Sequence, residues 1–405
     1  MSLSHYLQTG IYLFAFLCVL FIPFPFIFFP FQEKYTQFLF GGLIQVIAPI
    51  AGIEKIHSGI SSDSTSLYFL LLLLLILSGG LSFLFEASKR WRVHRGAIFI
   101  LLRKVFSYYL ALQLLKYGVD KIFKAQFYLP EPNILYTPFG QLSKDILYWS
   151  TIGTSYLYNV ITGCVEVLAA LLLLFQRTRV VGLLLSIGVM INIVTINIGF
   201  DISVKLYSCF LLLLALIALS PQVSLLYQFF ILQKPAALTV EDSPVLFPHQ
   251  ALIQRTLKLF ISSLFFLEAL YPYRQRKTFN DDLVARPFLH GAYQVQTTSR
   301  DSVMQNPFSS IKRFFIHRNG YIIFQDQADQ MKDFKLQIDS ASHVFVLTDY
   351  TMHQTQIRYE YNKRDSLLIL HYKIQDKLYI IQGKALNWKS LPALKDEIHW
   401  TIESN

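Results

Sequence analysis

The sequence predicts a membrane all-α bundle followed by a C-terminal antiparallel β barrel or sandwich. Three observations carry that prediction. The first is composition: of 405 residues, 53% are hydrophobic, 15% aromatic and only 15% charged, where an ordinary soluble domain has about 25% charged residues. The second is a split in the charge. Residues 1–273 hold 18 Lys+Arg and 12 Asp+Glu, whereas residues 274–405 hold 18 and 14 in half the length. The third is a change of period. Apolar runs of membrane-crossing length, about 20 residues, give way near residue 286 to alternation with a period of two.

Seven runs meet the length requirement: 10–30, 67–85, 98–119, 156–176, 180–200, 203–220 and 256–272. Pro23, Pro25 and Pro30 bend the first. It lacks the basic start and small-residue cleavage site of a secretory signal, so it reads as a retained helix. Gly79-Gly80 in the second permits close helix contact. Residues 35–53 are weakened as a helix by Gly41, Gly42 and Pro49 and are expected to form an outer interfacial or re-entrant segment; the alternative is an eighth span. Residues 121–154 form a long outer loop, broken by Pro130, Pro132 and Pro138.

Orientation follows from basic residues, which concentrate in cytoplasmic loops. Lys89, Arg90, Arg92 and Arg95, with Arg103 and Lys104 after them, form one group, and Arg177 and Arg179 a second. Two spans separate them, so both fit the cytoplasmic side. The N-terminus is then cytoplasmic and the tail domain extracytoplasmic. The implied organisation is a two-helix membrane segment over 1–96 with the outer segment 35–53 inside it, a four-helix unit over 97–220, a cytoplasmic connector over 221–255, a last helix over 256–273 and a β domain over 286–405.

In the tail, strands are expected at 289–298, 311–317, 320–325, 333–338, 343–348, 355–361, 366–373 and 377–385. Asn319-Gly320 between FFIH and YIIF is a strong hairpin signal. Eight short consecutive strands suit an up-and-down barrel or a sandwich.

Several function classes are excluded. The net charge of +10 lies beside apolar runs, the pattern of membrane loops, so nucleic acid is not an expected partner; the lipid bilayer is. Cys18, Cys164 and Cys209 each sit in an apolar run without CxxC spacing, which argues against a thiol relay. None of the ten histidines lies inside a predicted span, so integral haem is not expected. His317, His343, His353 and His371 fall at no metal-motif spacing. No Walker loop, GxSxG or HExxH occurs.

Ionisable and amide groups within spans are the candidate site residues, because lipid makes them costly. Glu166 lies mid-helix in GCVEVLAALLLLF. Asn192, Asn197 and Asp201 lie on the next helix, with Lys205 one turn later. Gln113, Tyr117 and Lys121 follow one another at spacings of four, with Asp120 three after Tyr117, so they lie near one face or just beyond it. At 1.5 Å per residue, Gln113 lies about 12 Å inward from Lys121, Asn192 about 14 Å inward from Asp201, and Glu166 about 12 Å below Tyr158. A shared, outward-opening polar pocket is therefore geometrically available. The rival reading has each side chain bonding a neighbouring helix. Glu268 is expected to reach the outer interface.

Three stretches resemble the DoxX-like membrane family: YYLALQLLKYGVDKIFKAQF (108–127), with Lys121 three residues after Tyr117-Gly118; TGCVEVLAALLLLFQRTRVVG (162–182), with a helix glutamate and a basic turn; and NIVTINIGFDISVKLYS (192–208), with an Asp-x-x-x-Lys end. Together they cover the family's four-helix unit. SGISSDS (58–64) and IHWTIES (398–404) are similar to segments of a longer bacterial form with a β-rich tail. The resemblance implies a bacterial cytoplasmic-membrane protein, and matches Lys121, Glu166, Asp201 and Lys205 to the family's polar positions. Cys164 and Asn197 correspond to no family role. Some relatives are linked to quinone-dependent sulfur oxidation or to membrane oxidoreductase complexes.

Two functions follow as expectations. One is a small-molecule site for a quinone or lipid-like ligand, with Glu166 as proton-linked acceptor, Lys121 and Lys205 binding an anionic group, and Asn192 orienting it. The other is a non-catalytic anchor or assembly module whose β domain binds an envelope partner or lipid. A transporter is disfavoured by the lack of an inverted repeat.

Overall fold

The computed structural model describes residues 3–53, 59–237, 250–298, 311–374, 377–395 and 397. Residues 398–404, residues 238–249 of the connector and residues 375–376 lie outside them. The chain forms two compact units: residues 1–126 with 159–279, and residues 127–158 with 280–405.

The first unit is helical: α1 Leu3–Phe21, α2 Gln32–Ile50, α3 Thr65–Ala87, α4 Lys89–Ile122, and then, after the helices α5 Pro132–Leu135 and α6 Lys144–Thr154 of the second unit, α7 Tyr156–Leu174, α8 Arg179–Gly199, α9 Lys205–Leu219, α10 Val223–Phe230 and α11 Gln250–Arg276. Among the described residues, six of its stretches are long and apolar enough to cross a bilayer: α1, α3, α4, α7, α8 and the continuous run Lys205–Phe230. The chain is thus built as a multi-pass membrane protein. The seventh expected span, 256–272, falls within α11, which carries Arg255, Lys258, Glu268, Arg274 and Arg276 and is not among the six.

Three sequence expectations shift. The first helix occupies 3–21 and not 10–30, because Pro23 has no N–H to continue the ladder and disfavours helix in the residue before it. Most of 35–53 does form a helix, which ends at Ile50: Gly41 and Gly42 are accommodated, and Pro49 falls in the last turn. The connector begins only after Phe230, since a single 3-10 turn, Ser220–Gln222, joins α9 to α10.

Contacts fix how the helices run. α1 packs on α3, with Tyr6 Oη donating to Gly79 O (2.9 Å) and Thr9 Oγ1 to Glu86 Oε1 (2.6 Å). Phe24, just after α1, stacks on Tyr207 near the start of α9 (5.4 Å). Asp63, just before α3, accepts from Lys205 N and Leu206 N at the same start. The segment carrying α2 therefore leaves from and returns to one end of the bundle without crossing it. α4 and α11 are parallel: Tyr108 meets Phe265, Lys116 meets Glu268, and Phe123 meets Tyr273 and Phe279. At the opposite end, Lys258 Nζ sits 4.4 Å from the Phe175 ring, just past α7.

α4 and α7 cross at two glycines. A Cβ on Gly118 would lie 2.8 Å from Gly163 O, and one on Gly163 would lie 2.6 Å from Gly118 O. Only residues without side chains allow backbones this close.

The second unit is a closed barrel, not a sandwich: β1 Gly291–Thr298, β2 Ile311–His317, β3 Tyr321–Asp326, β4 Met331–Asp339, β5 Val344–Thr348, β6 Gln354–Asn362, β7 Leu367–Ile374 and β8 Lys377–Leu386. Each strand pairs antiparallel with the next, and β8 closes on β1. The hairpin at Asn319-Gly320 forms, with His317 opposite Tyr321 and Gly320 at φ +73°. Inward rows such as Phe314, Phe324, Phe345, Leu347, Ile357 and Leu370 make the core. Outside, Ala292, Phe315, Ile323 and Trp388 pack with Leu135 and Tyr136 of the 127–158 segment. The β domain thus includes a piece of chain expected to be only a loop.

Candidate functional site

The last turns of α4 carry one half of a buried ion pair of the helical unit. Three residues beyond the Gly118–Gly163 crossing, Lys121 and Glu166 come together: Lys121 Nζ donates to both carboxylate oxygens at 2.7 Å. Both side chains are buried, and the ammonium lies 5.9 Å from the Tyr117 ring centroid. The close crossing explains the pairing: α4 and α7 run antiparallel, with Gly118 against Val167 and Gly163 against Ile122, so Lys121 and Glu166 both fall within the contact.

Neighbouring positions on α4 bond other elements. Lys116 Nζ is 3.7 Å from Glu268 Oε1, and Glu268 also accepts from Ile27 N (2.6 Å) and Phe28 N (3.0 Å). Glu268 is therefore buried and caps the turn after α1, where the sequence suggested an interfacial position. Asp120 accepts from Tyr273 Oη.

Gln113, about 12 Å further into the bundle than Lys121, differs from all of these. It is fully buried (0% exposed), and neither amide atom has a hydrogen-bond partner among the described residues. Tyr109 and Tyr117 stand one helical turn to either side of it. Those two rings are linked by a chain of aromatics: Tyr117 meets Phe24 at 6.1 Å, Phe24 stacks on Tyr207, and Tyr207 Oη bonds Tyr109 Oη at 3.0 Å. Gln113 thus sits on the α4 side of a four-ring aromatic group.

The other expected residues do not join this site. Asn192 is exposed on the surface of α8. Asn197 is buried and donates to Ser208 Oγ (3.0 Å), tying α8 to α9. Asp201 is 81% exposed and pairs with Lys205 at 2.7 Å; Lys205 also lies 3.7 Å from Asp63. The expected pocket therefore resolves into two places: Gln113, Tyr117, Lys121 and Glu166 on α4 and α7, and a separate cap of Asp63, Asp201 and Lys205 at the start of α9.

Sequence reasoning passed over the ring group and a second polar cluster. The rings carry no motif; the only signal is a tyrosine one turn either side of a buried glutamine. The second cluster lies in the barrel unit. Glu131 accepts from His290 Nε2 (2.8 Å) and from Arg318 Nε (2.5 Å), and Arg318 Nη1 donates to Asp281 Oδ2 (2.6 Å). Burial raises the Glu131 pKa, but the bonds from His290 and Arg318 outweigh it and hold the carboxyl down at about 2. Burial lowers the His317 imidazole, which lies 3.9 Å from the same carboxylate. This cluster fastens the 127–158 segment to the barrel.

Compared with known proteins, the chain is 35% identical over 115 residues to the uncharacterized protein YwoB of Bacillus subtilis (strain 168), a match covering 28% of this chain and 72% of that one. No family model matches the chain, and no solved structure matches it.

Proposed function

We propose that this chain, which belongs to the family of the Bacillus subtilis protein YwoB, is a seven-span membrane protein of DoxX-like type that binds a quinone or similar lipid-like molecule beside Gln113. Gln113 is the observation that carries the reading. A buried amide left unbonded costs about 1–3 kcal/mol, and a ligand with a carbonyl or hydroxyl group removes that cost. Nε2 donates to a carbonyl oxygen and Oε1 accepts from a hydroxyl, so one side chain serves the oxidised and the reduced form of a quinone alike. The faces of Phe24, Tyr109, Tyr117 and Tyr207 suit a flat ring. Lys121 and Glu166 neutralise each other, which favours an uncharged ligand over an anionic one and makes the pair a positioning element of the α4–α7 crossing.

The run of α11 supports a seventh span. From Lys258, at the Phe175 end of α7, to Tyr273, at the end of α4, it rises about 22 Å. With Lys89–Arg95 and Arg177–Arg179 cytoplasmic, α2 lies at the outer face of a bacterial cytoplasmic membrane. α4 and α11 both end outside, and the barrel is extracytoplasmic.

The test is equilibrium binding of a short-chain ubiquinone analogue to the full-length protein in lipid nanodiscs. Gln113→Leu is expected to weaken binding about tenfold, the value of one hydrogen bond of ~1.4 kcal/mol, with Tm held or raised. Equal affinity in the variant, or no saturable binding by the wild type, overturns the reading and leaves the anchor function in its place.

A further inference from the structure

The interior of the barrel is packed unevenly. Toward one end the space is filled by ring pairs: Tyr293 on Phe314 (5.0 Å, 7° between planes) and Phe345 on Tyr359 (4.3 Å, 26°). Gly383 makes room for this filling, since a Cβ there would lie 2.3 Å from the Phe314 ring. Toward the other end a cavity of about 80 Å³ remains, walled by Phe324, Phe334, Leu347, Leu370 and Ile381. Eight-stranded barrels are just wide enough either to be filled by side chains or to hold one small ligand; this barrel does the first at one end and has room for the second at the other.

The edge of that cavity is polar by design of the strand rows. On β5 the inward row runs Phe345, Leu347 and then Asp349; on β6 it runs Ile357, Thr355 and then His353. Asp349 is held in place. Its Oδ1 accepts from Thr351 N (2.9 Å), His353 N (2.9 Å) and Thr351 Oγ1 (2.7 Å). Its Oδ2 accepts no hydrogen bond, and no lysine or arginine pairs with it, among the described residues. The Thr351 hydroxyl, as the largest influence, holds the carboxyl below its ordinary pKa. Aromatic faces at this edge already meet an ammonium: Lys332 Nζ lies 5.3 Å from the Phe334 centroid.

We infer that this mouth of the barrel is a binding site for a small hydrophobic amine, whose hydrocarbon end enters the cavity while its ammonium pairs with Asp349 Oδ2 beside the aromatic wall. Size limits the ligand. Taking roughly 30 Å³ for each water-sized group, the cavity accepts the last few carbons of a chain or one edge of a small ring. Charge sets the preference, because a rigid carboxylate without a cation attracts an ammonium and repels a carboxylate.

The experiment uses methyl NMR of the full-length protein in nanodiscs, following the Leu347, Leu370 and Ile381 methyls, so that partition of ligand into lipid is not counted as binding. Hexylammonium, hexanol and hexanoate present one tail with three heads. Hexylammonium is expected to shift these methyls saturably, at least tenfold more tightly than hexanoate, with hexanol between. Asp349→Asn keeps the Oδ1 acceptor and is expected to abolish the difference between the heads. Leu347→Trp fills the cavity and is expected to remove the shifts for all three. Equal response to hexylammonium and hexanoate in the wild type, or no saturable shift with any of them, overturns the proposal. So does an undiminished preference in Asp349→Asn, which decides the matter even if Leu347→Trp does not fold.

Discussion

The helical unit and the barrel unit handle buried polarity in opposite ways. In the helices the backbone is satisfied within each element, so the directional ties between elements are side chains: Lys121 with Glu166, Lys116 with Glu268, Asn197 with Ser208. In the barrel the backbone itself ties strand to strand, the interior is apolar, and charge gathers on the outer flank, where Glu131, His290, Arg318 and Asp281 fasten a distant segment. Polar residues in an apolar run therefore report helix contacts, whereas in the barrel they report what is attached to it.

The largest expected effect breaks the barrel side of this contrast. A buried ion pair that loses one partner leaves the other uncompensated, a cost of about 3 kcal/mol or more. Glu131→Gln is thus expected to lower barrel stability by about that amount at neutral pH, read as unfolding followed by Trp388 fluorescence. The folded pKa of Glu131, about 2, lies below its ordinary 4.5. The stabilisation is therefore fully present above pH 4.5 and lost as pH falls from 4.5 toward 2. His317, lowered from 6.5 by burial, acts in the same sense at higher pH: the unfolded chain takes up its proton first, so stability begins to fall below about 6.5. The Gln variant should lack the lower part of this acid response; an unchanged response there would refute the assignment to Glu131.

Legibility in the sequence follows the same division. The strands were readable because each inward row alternates, and every one lies within two residues of its expected place; Asn319-Gly320 marked its hairpin directly. Closure into a barrel was not readable, since the pairing of β1 with β8 joins residues far apart in the chain. Glu131 gave no signal either, because its partners His290 and Arg318 lie 159 and 187 positions away. In the helices, Glu166 stood out as a charge at membrane depth, level with Gln113. Depth alone grouped Asn192 with them wrongly, because equal depth says nothing about which face of a helix a residue occupies.

A smaller effect sharpens the helical side. Gly118→Val forces a side chain into the α4–α7 crossing, where even a Cβ meets Gly163 O at 2.8 Å. A loss of about 2 kcal/mol is expected from overpacking, seen as a lower Tm in nanodiscs. An unshifted Tm would mean that the helices do not cross there. Smallest of all is Asn192→Ala. Its side chain is exposed on α8, so stability should change by no more than about 0.5 kcal/mol and quinone binding not at all. A clear loss of binding would move the site to α8.

The division of the barrel unit into two stretches of chain has a consequence for biosynthesis. Glu131 is translated 159 residues before His290, an interval of about 8–30 seconds at ribosomal rates of 5–20 residues per second. During it α5 to α11 are made, and the early stretch must wait for a partner that does not yet exist. The Glu131–Arg318 fastening can close only when both stretches have been delivered to one compartment.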